Sequence, residues 1–234
     1  GNVPWINKPL DQNSGELQMA RTARSVVMDS IVSDLDKAIL LMKSKGQGSA
    51  SRLNSQVALL LKSRVTLFEG TWQKYHAGSP FGVTGSDGKK YLTLARDAAK
   101  QLIDGGAYNI YTSGNPKTSY AYLFGQNDYS SNPEVMLWKK WDASLGLVRW
   151  APSIWGMGMG VTKATVDSYL CTDGLPISRS PLYVGDANLL NVVKNRDPRL
   201  AQSIWVPGDP VNILGASDTT FFKRADLHQT GSYL

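Results

Sequence analysis

The chain has 234 residues, of which 42% are hydrophobic and 19% are charged, and its formal net charge is +6. This balance supports a packed core and excludes an intrinsically disordered chain. The basic residues are scattered in runs of at most two, such as Lys89-Lys90, whereas nucleic-acid-binding proteins usually cluster them on one stripe. We therefore expect a solvated basic surface and no nucleic-acid partner.

Few residues are available for covalent or metal chemistry. The sequence contains one cysteine, Cys171, and two histidines, His76 and His228, that lie far apart. A single cysteine cannot form an internal disulfide, and no Cys/His spacing resembles a zinc site. Asp173-Gly174 does not begin a calcium loop, because the alternating acidic ligands are missing. We therefore predict no metal, no cofactor and no catalytic residue, and we interpret Cys171 as a small core residue.

No targeting or membrane-spanning segment is visible in the sequence. No apolar run approaches the roughly 18 residues that a membrane span needs, and no signal peptide begins at Gly1. The opening residues 1–5 are typical of a loop within a longer chain. We expect further residues before Gly1 in the natural protein, and also after Leu234.

Three amphipathic helices are predicted after an extended lead-in over residues 1–20. In each of them apolar residues recur every three or four positions. The first helix contains Val27 and Met42 and stops at the polar segment 45–49. The second runs from about Asn54, which is a good N-cap, to Tyr75. The third runs from about residue 91 to 103 and ends at a pair of glycines.

Small residues in the third helix indicate close packing between helices. Helix pairs of this kind stack in tetratricopeptide-like solenoids, although the strict repeat signature is absent here. We predict antiparallel helical pairs over residues 25–105. The residues expected to be buried are Leu61, Phe68, Ala98 and Leu102.

The composition changes after residue 107, where Gly, Asn, Ser, Pro and aromatic residues become frequent. Residues 134–138 predict a short strand, and helical patterns return at 163–171 and after Asp197. Asp197 suits an N-cap because Pro198 follows it at the first helical position. The predicted fold class is mostly α, in one domain. Residues 1–107 form tetratricopeptide-like helical pairs, and residues 108–234 form an irregular, loop-rich part with short strands.

Six segments carry a family resemblance, in the family's order. They include Ala58-Leu59-Leu60-Leu61-Lys62 with Phe68-Glu69-Gly70-Thr71-Trp72, and Arg196-Asp197-Pro198-Arg199-Leu200. The others are 1–10, 91–108, 122–135 and 167–177, the last with Asp173-Gly174-Leu175-Pro176-Ile177. Together they resemble the SusD/RagB family of nutrient-binding proteins.

The resemblance implies a tetratricopeptide-like scaffold with a loop-rich part that carries the ligand site. It implies a surface lipoprotein of the outer membrane in a Bacteroidetes-type bacterium. Its partners would be a glycan, or sometimes a peptide, and a SusC-like TonB-dependent transporter that imports this ligand. The family's N-terminal signal, lipidated cysteine and first helices have no counterpart in this sequence. We expect the lipid anchor and part of the ligand site to lie in this N-terminal stretch of the complete protein.

Four of the seven tryptophans fall within residues 138–155. Sugars present apolar C–H faces to aromatic rings, and their hydroxyl groups need fixed polar partners. The predicted ligand-binding residues are Trp141, Trp150 and Trp155 as stacking platforms, with Asp142 and Arg149 as polar neighbours. Trp138 is more typical of a core residue. For Trp150 and Trp155 both a binding role and a core role stay open.

Three functions are compatible with the sequence. The aromatic-rich loop predicted at 138–160 favours non-catalytic glycan binding over a peptide-binding helical scaffold, because a scaffold does not need such a loop. A glycoside hydrolase is the weakest alternative, because nothing marks a pair of catalytic carboxylates. The glycines at 156, 158 and 160 do not match the dinucleotide fingerprint G-x-G-x-x-G, so we interpret them as a loop.

Overall fold

The computed structural model describes residues 2–47, 51–142, 144, 146, 161–213 and 219–221. The chain divides into two compact units, the first made of Gly1–Ile110 and Tyr129–Lys140 and the second of Tyr111–Asp128 and Trp141–Leu234. Helices are the main regular structure of the described residues and strands are few, which agrees with the mostly α fold class that the sequence predicts. Whether the whole chain is one domain divided near residue 107 stays a prediction.

Three long helices build the first unit: α1 (Arg24–Leu41), α2 (Ser55–Tyr75) and α3 (Lys89–Asp104). A 3-10 helix, Gly15–Gln18, lies in the lead-in. Asn54 caps α2 as predicted, because its side-chain oxygen accepts a hydrogen bond from the Val57 N–H at 3.0 Å. The three predicted helices are therefore confirmed.

Contacts between side chains show that successive helices run antiparallel. Arg24 near the start of α1 pairs with Glu69 near the end of α2, and Asp36 near the end of α1 pairs with Lys62. In the same way, Ser63 of α2 donates to the Ala95 carbonyl of α3 at 3.0 Å. Gly70, later in α2, lies against Leu92, earlier in α3, so these two helices also run in opposite directions. The predicted antiparallel helical pairs are confirmed.

Polar side chains occupy the buried face of α2. Thr66, Glu69 and Gln73 are each at most 1% exposed. Both oxygens of Glu69 accept from Nε of Arg24 at 2.8 Å, and one of them also accepts from Gln73 Nε2 at 2.6 Å. The Ser86 hydroxyl donates to the side-chain oxygen of Gln73. The interior of the first unit therefore contains a connected hydrogen-bond network around one buried ion pair.

Two residues predicted to be buried are exposed. Ala98 is buried as predicted and Leu102 is half-buried, but Leu61 is 49% exposed and Phe68 is 64% exposed. The physical reason is that the buried face of α2 consists of Leu59 and of small or polar residues such as Ala58 and Thr66, and Leu61 and Phe68 lie outside this face. Leu61 and Phe68 lie seven residues apart and therefore on one side of α2, where Phe68 stacks on Trp72 with ring centroids 6.2 Å apart.

Two glycines allow the start of α3 to touch the backbone of α2. A Cβ added to Gly88 would lie 2.1 Å from the carbonyl oxygen of Gly70, and Gly88 has a φ of +76°. A Cβ added to Gly70 would lie 2.7 Å from the backbone nitrogen of Leu92. Side chains at these positions would force the two helices apart.

Gly88→Ala should destabilise the protein by roughly 2 kcal/mol more than Gly85→Ala, because overpacking costs about 1–3 kcal/mol. Gly85 is the matched control, since it has a similar φ of +73° and a Cβ there would meet nothing within 4 Å. The cost of a left-handed alanine is therefore common to both variants. Urea denaturation followed by circular dichroism measures the difference. Equal midpoints would show that the contact with Gly70 is unimportant.

The segment after residue 128 returns to the first unit, and the strand predicted at 134–138 is wrong. None of these residues lies in a strand in the described part of the chain. Instead, the side-chain oxygen of Asn132 accepts hydrogen bonds from the N–H groups of Glu134 and Val135, which makes a turn. The Pro133 carbonyl accepts from the Asn109 N–H at 3.0 Å, so the segment pairs only briefly with the end of the helical scaffold.

The described residues of the second unit form four short helices and a pair of strands. The helices are α4 (Ser119–Phe124), α5 (Lys163–Ser168), α6 (Leu189–Val193) and α7 (Pro198–Ala201), and the antiparallel strands are β1 (Pro210–Ile213) and β2 (Thr219–Phe221). Asp197 caps α7, with Pro198 in its first turn as predicted. No helix in the described part of the chain is long and apolar enough to cross a membrane.

Arg196 connects two of these short helices. Its guanidinium donates to the carbonyl oxygens of Val166 at 2.7 Å and Tyr169 at 2.9 Å, at the end of α5, and to that of Val192 at 3.3 Å, in α6. Arg196 is only 4% exposed, and its backbone bridges that of Cys171. A cation at the C-terminal end of a helix also interacts favourably with the helix dipole. The guanidinium therefore holds both helix ends in place.

Candidate functional site

The predicted glycan site is only partly within the described residues. Arg149, Trp150 and Trp155 lie outside them. Trp141 is 46% exposed, and the neighbouring Asp142 accepts hydrogen bonds from the Ser144 backbone N–H at 3.0 Å and from its hydroxyl at 2.6 Å. The structure thus shows an exposed indole at Trp141, followed in sequence by a carboxylate that is hydrogen-bonded to Ser144. The five-residue site as a whole stays a prediction.

Trp138 is half-buried, and its ring packs against that of Tyr129 with centroids 5.8 Å apart. This packing favours the core role expected for Trp138. Cys171 is 3% exposed, which confirms its interpretation as a buried residue. In the part of the chain that the structure describes, no group of three or more His, Cys, Asp and Glu side chains converges as metal ligands.

A cavity of about 510 Å³, here called the Trp72 cavity, lies beside the start of α1 in the first unit. Residues that line it include Arg21, Arg24, Trp72 and Phe81. The Trp72 ring stacks on His76 at 3.9 Å, and the Arg24 guanidinium lies 4.7 Å from its centroid. Since protein groups already cover the ring, Trp72 is a packing residue and not a free platform for a sugar.

A second cavity, of about 380 Å³, lies between the α1–α2 connection and the segment that follows residue 128. We call it the α1–α2 cavity. Among the described residues, its wall contains basic, aromatic and amide side chains and no Asp or Glu: Lys43, Lys45, Arg52, Tyr108, Tyr129 and Asn132. A volume of this size is within the range of small-ligand pockets.

Hydrogen bonds fix one wall of the α1–α2 cavity. Asn54, which caps α2, donates from Nδ2 to the Tyr108 hydroxyl at 3.2 Å. The Lys45 ammonium lies 3.8 Å from the Tyr108 ring centroid and donates to the Ala107 carbonyl at 2.7 Å. The start of α2 and the segments that follow α1 and α3 are therefore joined in a preorganised polar surface around Tyr108.

The shifted pKa values belong to structural contacts. Burial, together with a hydrogen bond to Asp29, raises the pKa of Tyr91 well above its usual range. A hydrogen bond from Ser180 and one from the Leu175 N–H hold the pKa of Asp173 below its usual value. A general acid for glycoside hydrolysis needs a raised carboxyl pKa, and the shifts of these groups do not provide one.

No protein-family model matches the sequence, and no curated protein matches it. The structure is similar to the crystal structure of a SusD-like carbohydrate binding protein from Bacteroides fragilis, with a TM-score of 0.59 and 20% sequence identity. The similarity covers 86% of this chain and 35% of that protein, so this chain spans about a third of its length. The chain has the SusD-like fold, as the sequence resemblance predicts.

Sequence reasoning did not predict the α1–α2 cavity. Part of the cavity is visible in the sequence, because the basic residues Lys43, Lys45 and Arg52 are close together around the connection between α1 and α2. The aromatic residues that complete the wall follow more than 50 positions later, so only the folded chain brings them together. No local pattern joins the two sets.

Proposed function

We propose that this chain is part of a non-catalytic protein that binds a polysaccharide or oligosaccharide. The observation that carries the proposal is the SusD-like fold over most of the chain, shared with a protein described as carbohydrate binding. The aromatic segment 138–155 supports it, because indole rings bind the apolar faces of sugars. Function requires a site as well as a fold, and this segment supplies a candidate.

The proposed cellular role follows from the same resemblance. The complete protein would be a lipid-anchored protein of the outer-membrane surface in a Bacteroidetes-type bacterium. It would capture a glycan and present it to a SusC-like TonB-dependent transporter for import. Co-purification of the complete protein with a TonB-dependent barrel tests this part of the proposal.

The proposed ligand site consists of Trp141, Trp150 and Trp155 as stacking platforms, with Asp142 and Arg149 binding sugar hydroxyls. The exposure of Trp141 and the hydrogen bonds that orient the Asp142 carboxylate support this choice. Both residues lie at the start of a Gly- and Pro-containing segment, and segments of this composition often carry binding residues.

Trp155→Ala should weaken glycan affinity by about 1–3 kcal/mol while the melting temperature changes little. A glycan array with the complete protein identifies the ligand, and calorimetric titration then gives its dissociation constant. Trp138→Ala is the matched control. Because Trp138 packs against Tyr129, its loss should lower the melting temperature and leave the affinity of the folded protein unchanged.

Either of two experimental outcomes would contradict the proposal. If Trp155→Ala lowers stability without changing affinity, the tryptophan is structural and the site lies elsewhere. If incubation with the bound glycan releases new reducing ends, and a single Asp or Glu substitution stops the release, the protein is a glycosidase.

One observation favours a second candidate function, a scaffold that binds a peptide or protein. Leu61, Phe68 and Tyr75 recur every seven residues on α2, and all three are exposed. An amphipathic partner could pack on such a row. A ligand whose binding is lost in Phe68→Ala and kept in Trp155→Ala would support the scaffold over the glycan-binding protein.

A further inference from the structure

The described charged side chains that line the α1–α2 cavity are all positive. In the part of its wall that the structure describes, there are three cationic side chains, Lys43, Lys45 and Arg52, and no carboxylate. Lys45 is held by the Ala107 carbonyl and the Tyr108 ring. The side chains of Lys43 and Arg52, in contrast, are exposed and form no hydrogen bond or ion pair within the described part of the chain. Two cations are thus available to a ligand at the mouth of the cavity.

The rest of the described lining is aromatic and amide-rich. Tyr129 contributes a ring with a hydroxyl group, a combination that suits the C–H faces and hydroxyls of a sugar. The Tyr108 ring is already covered by the Lys45 ammonium, so Tyr108 offers its hydroxyl group. Asn132 is only 4% exposed and lines the cavity, and its Nδ2 has no hydrogen-bond partner among the described residues. A buried unpaired donor is unfavourable, so a ligand oxygen that reached this amide would stabilise it.

We infer that the α1–α2 cavity binds an acidic saccharide, with Lys43 and Arg52 binding its carboxylate or sulfate group and Tyr108, Tyr129 and Asn132 contacting the sugar. Arg and Lys form charge-assisted hydrogen bonds with both kinds of anion. The volume of about 380 Å³ is large enough for one or two sugar rings. The choice of a saccharide rests on the proposed function, whereas the requirement for a negative charge comes from the lining alone.

The variant Lys43→Ala/Arg52→Ala tests this inference in the complete protein. Both side chains are exposed, so their removal should leave the fold intact. The control is Lys117→Ala/Lys194→Ala, in which two exposed lysines of the second unit are removed and the formal net charge of +6 falls by the same two units. Any difference between the two variants therefore depends on the position of the charges and not on their number.

Calorimetric titration would use four probes: digalacturonic acid for the carboxylate, galactose 6-sulfate for the sulfate, neutral galactobiose, and inorganic sulfate. We expect at least one acidic saccharide to bind about tenfold more tightly than galactobiose and inorganic sulfate. This preference should be lost in Lys43→Ala/Arg52→Ala and kept in the control. Binding should also weaken as the salt concentration rises, because exposed charges are screened.

Comparison of the two acidic probes identifies the anionic group of the ligand. If only digalacturonic acid binds, the group is a carboxylate, and if only galactose 6-sulfate binds, it is a sulfate. Equal binding of galactobiose, equal binding of inorganic sulfate, equal loss in the control variant, or no binding of either acidic probe would overturn the inference. Trp155→Ala separates it from the proposed function. That variant should leave binding at the α1–α2 cavity unchanged, even where it abolishes binding at the aromatic segment 138–155.

Discussion

Arg24→Met is expected to lower the free energy of unfolding by about 3–5 kcal/mol, because it leaves the carboxylate of Glu69 buried without a counterion. Glu69 is 1% exposed, and all the cationic donors that it contacts in the described structure come from Arg24. Gln73 alone cannot replace them, since a neutral amide provides a weaker hydrogen bond. Chemical denaturation followed by circular dichroism measures the loss.

The double variant Arg24→Met/Glu69→Leu separates loss of the pair from loss of one charge. It should be more stable than Arg24→Met, because apolar residues often replace a buried ion pair at little cost. Lys90→Met is the exposed control. Its partner Asp29 stays in water, so the loss should be at most about 1 kcal/mol. An Arg24→Met variant as stable as Lys90→Met would contradict the importance of the buried pair.

Arg196→Met is expected to cost about 3 kcal/mol, since each of three carbonyl oxygens loses a hydrogen bond worth about 1 kcal/mol or more. The two carbonyls at the end of α5 and the one in α6 have their guanidinium donor in common. Arg196→Lys should recover part of this loss, because an ammonium keeps the charge but lacks the planar fork of five donors. Thermal unfolding of the three proteins gives the order of stability.

Arg199→Met provides the comparison for Arg196. The Arg199 side chain is 61% exposed and pairs with Asp197 two residues away, so its removal should cost at most about 1 kcal/mol. Similar losses in Arg199→Met and Arg196→Met would mean that the buried guanidinium does not hold the two helices.

Local patterns predicted the elements of the fold well, because helix starts and ends depend on nearby residues. Asn54 and Asp197 were identified as caps by their side chains alone, and both accept the expected backbone hydrogen bond. The burial of α2 was predicted less well. Its periodicity shows that Phe68 and Leu61 share a face, but it does not show whether that face meets another helix. The buried position of Glu69 depends on Arg24, which lies 45 residues earlier.

The candidate sites were predictable only where one segment supplies the chemistry. The aromatic residues from Trp138 to Trp155 are close in sequence, so composition alone singles them out. The α1–α2 cavity joins Lys43 and Arg52 to Tyr129, and such a wall exists only after α1, α2 and the segment beyond residue 128 have come together. Charge counted along the sequence does not reveal it.

The contacts of Arg196 also bear on how helices α5 and α6 unfold locally. Helices α5 and α6 have six and five residues, far fewer than the roughly 12–15 that an isolated helix needs for marginal stability in water. Neither helix is therefore stable alone, and one guanidinium donates hydrogen bonds to carbonyl groups at both of them. Their amide protons should consequently exchange with solvent through one shared opening event rather than by independent fraying, so that α5 and α6 behave as a single cooperative element.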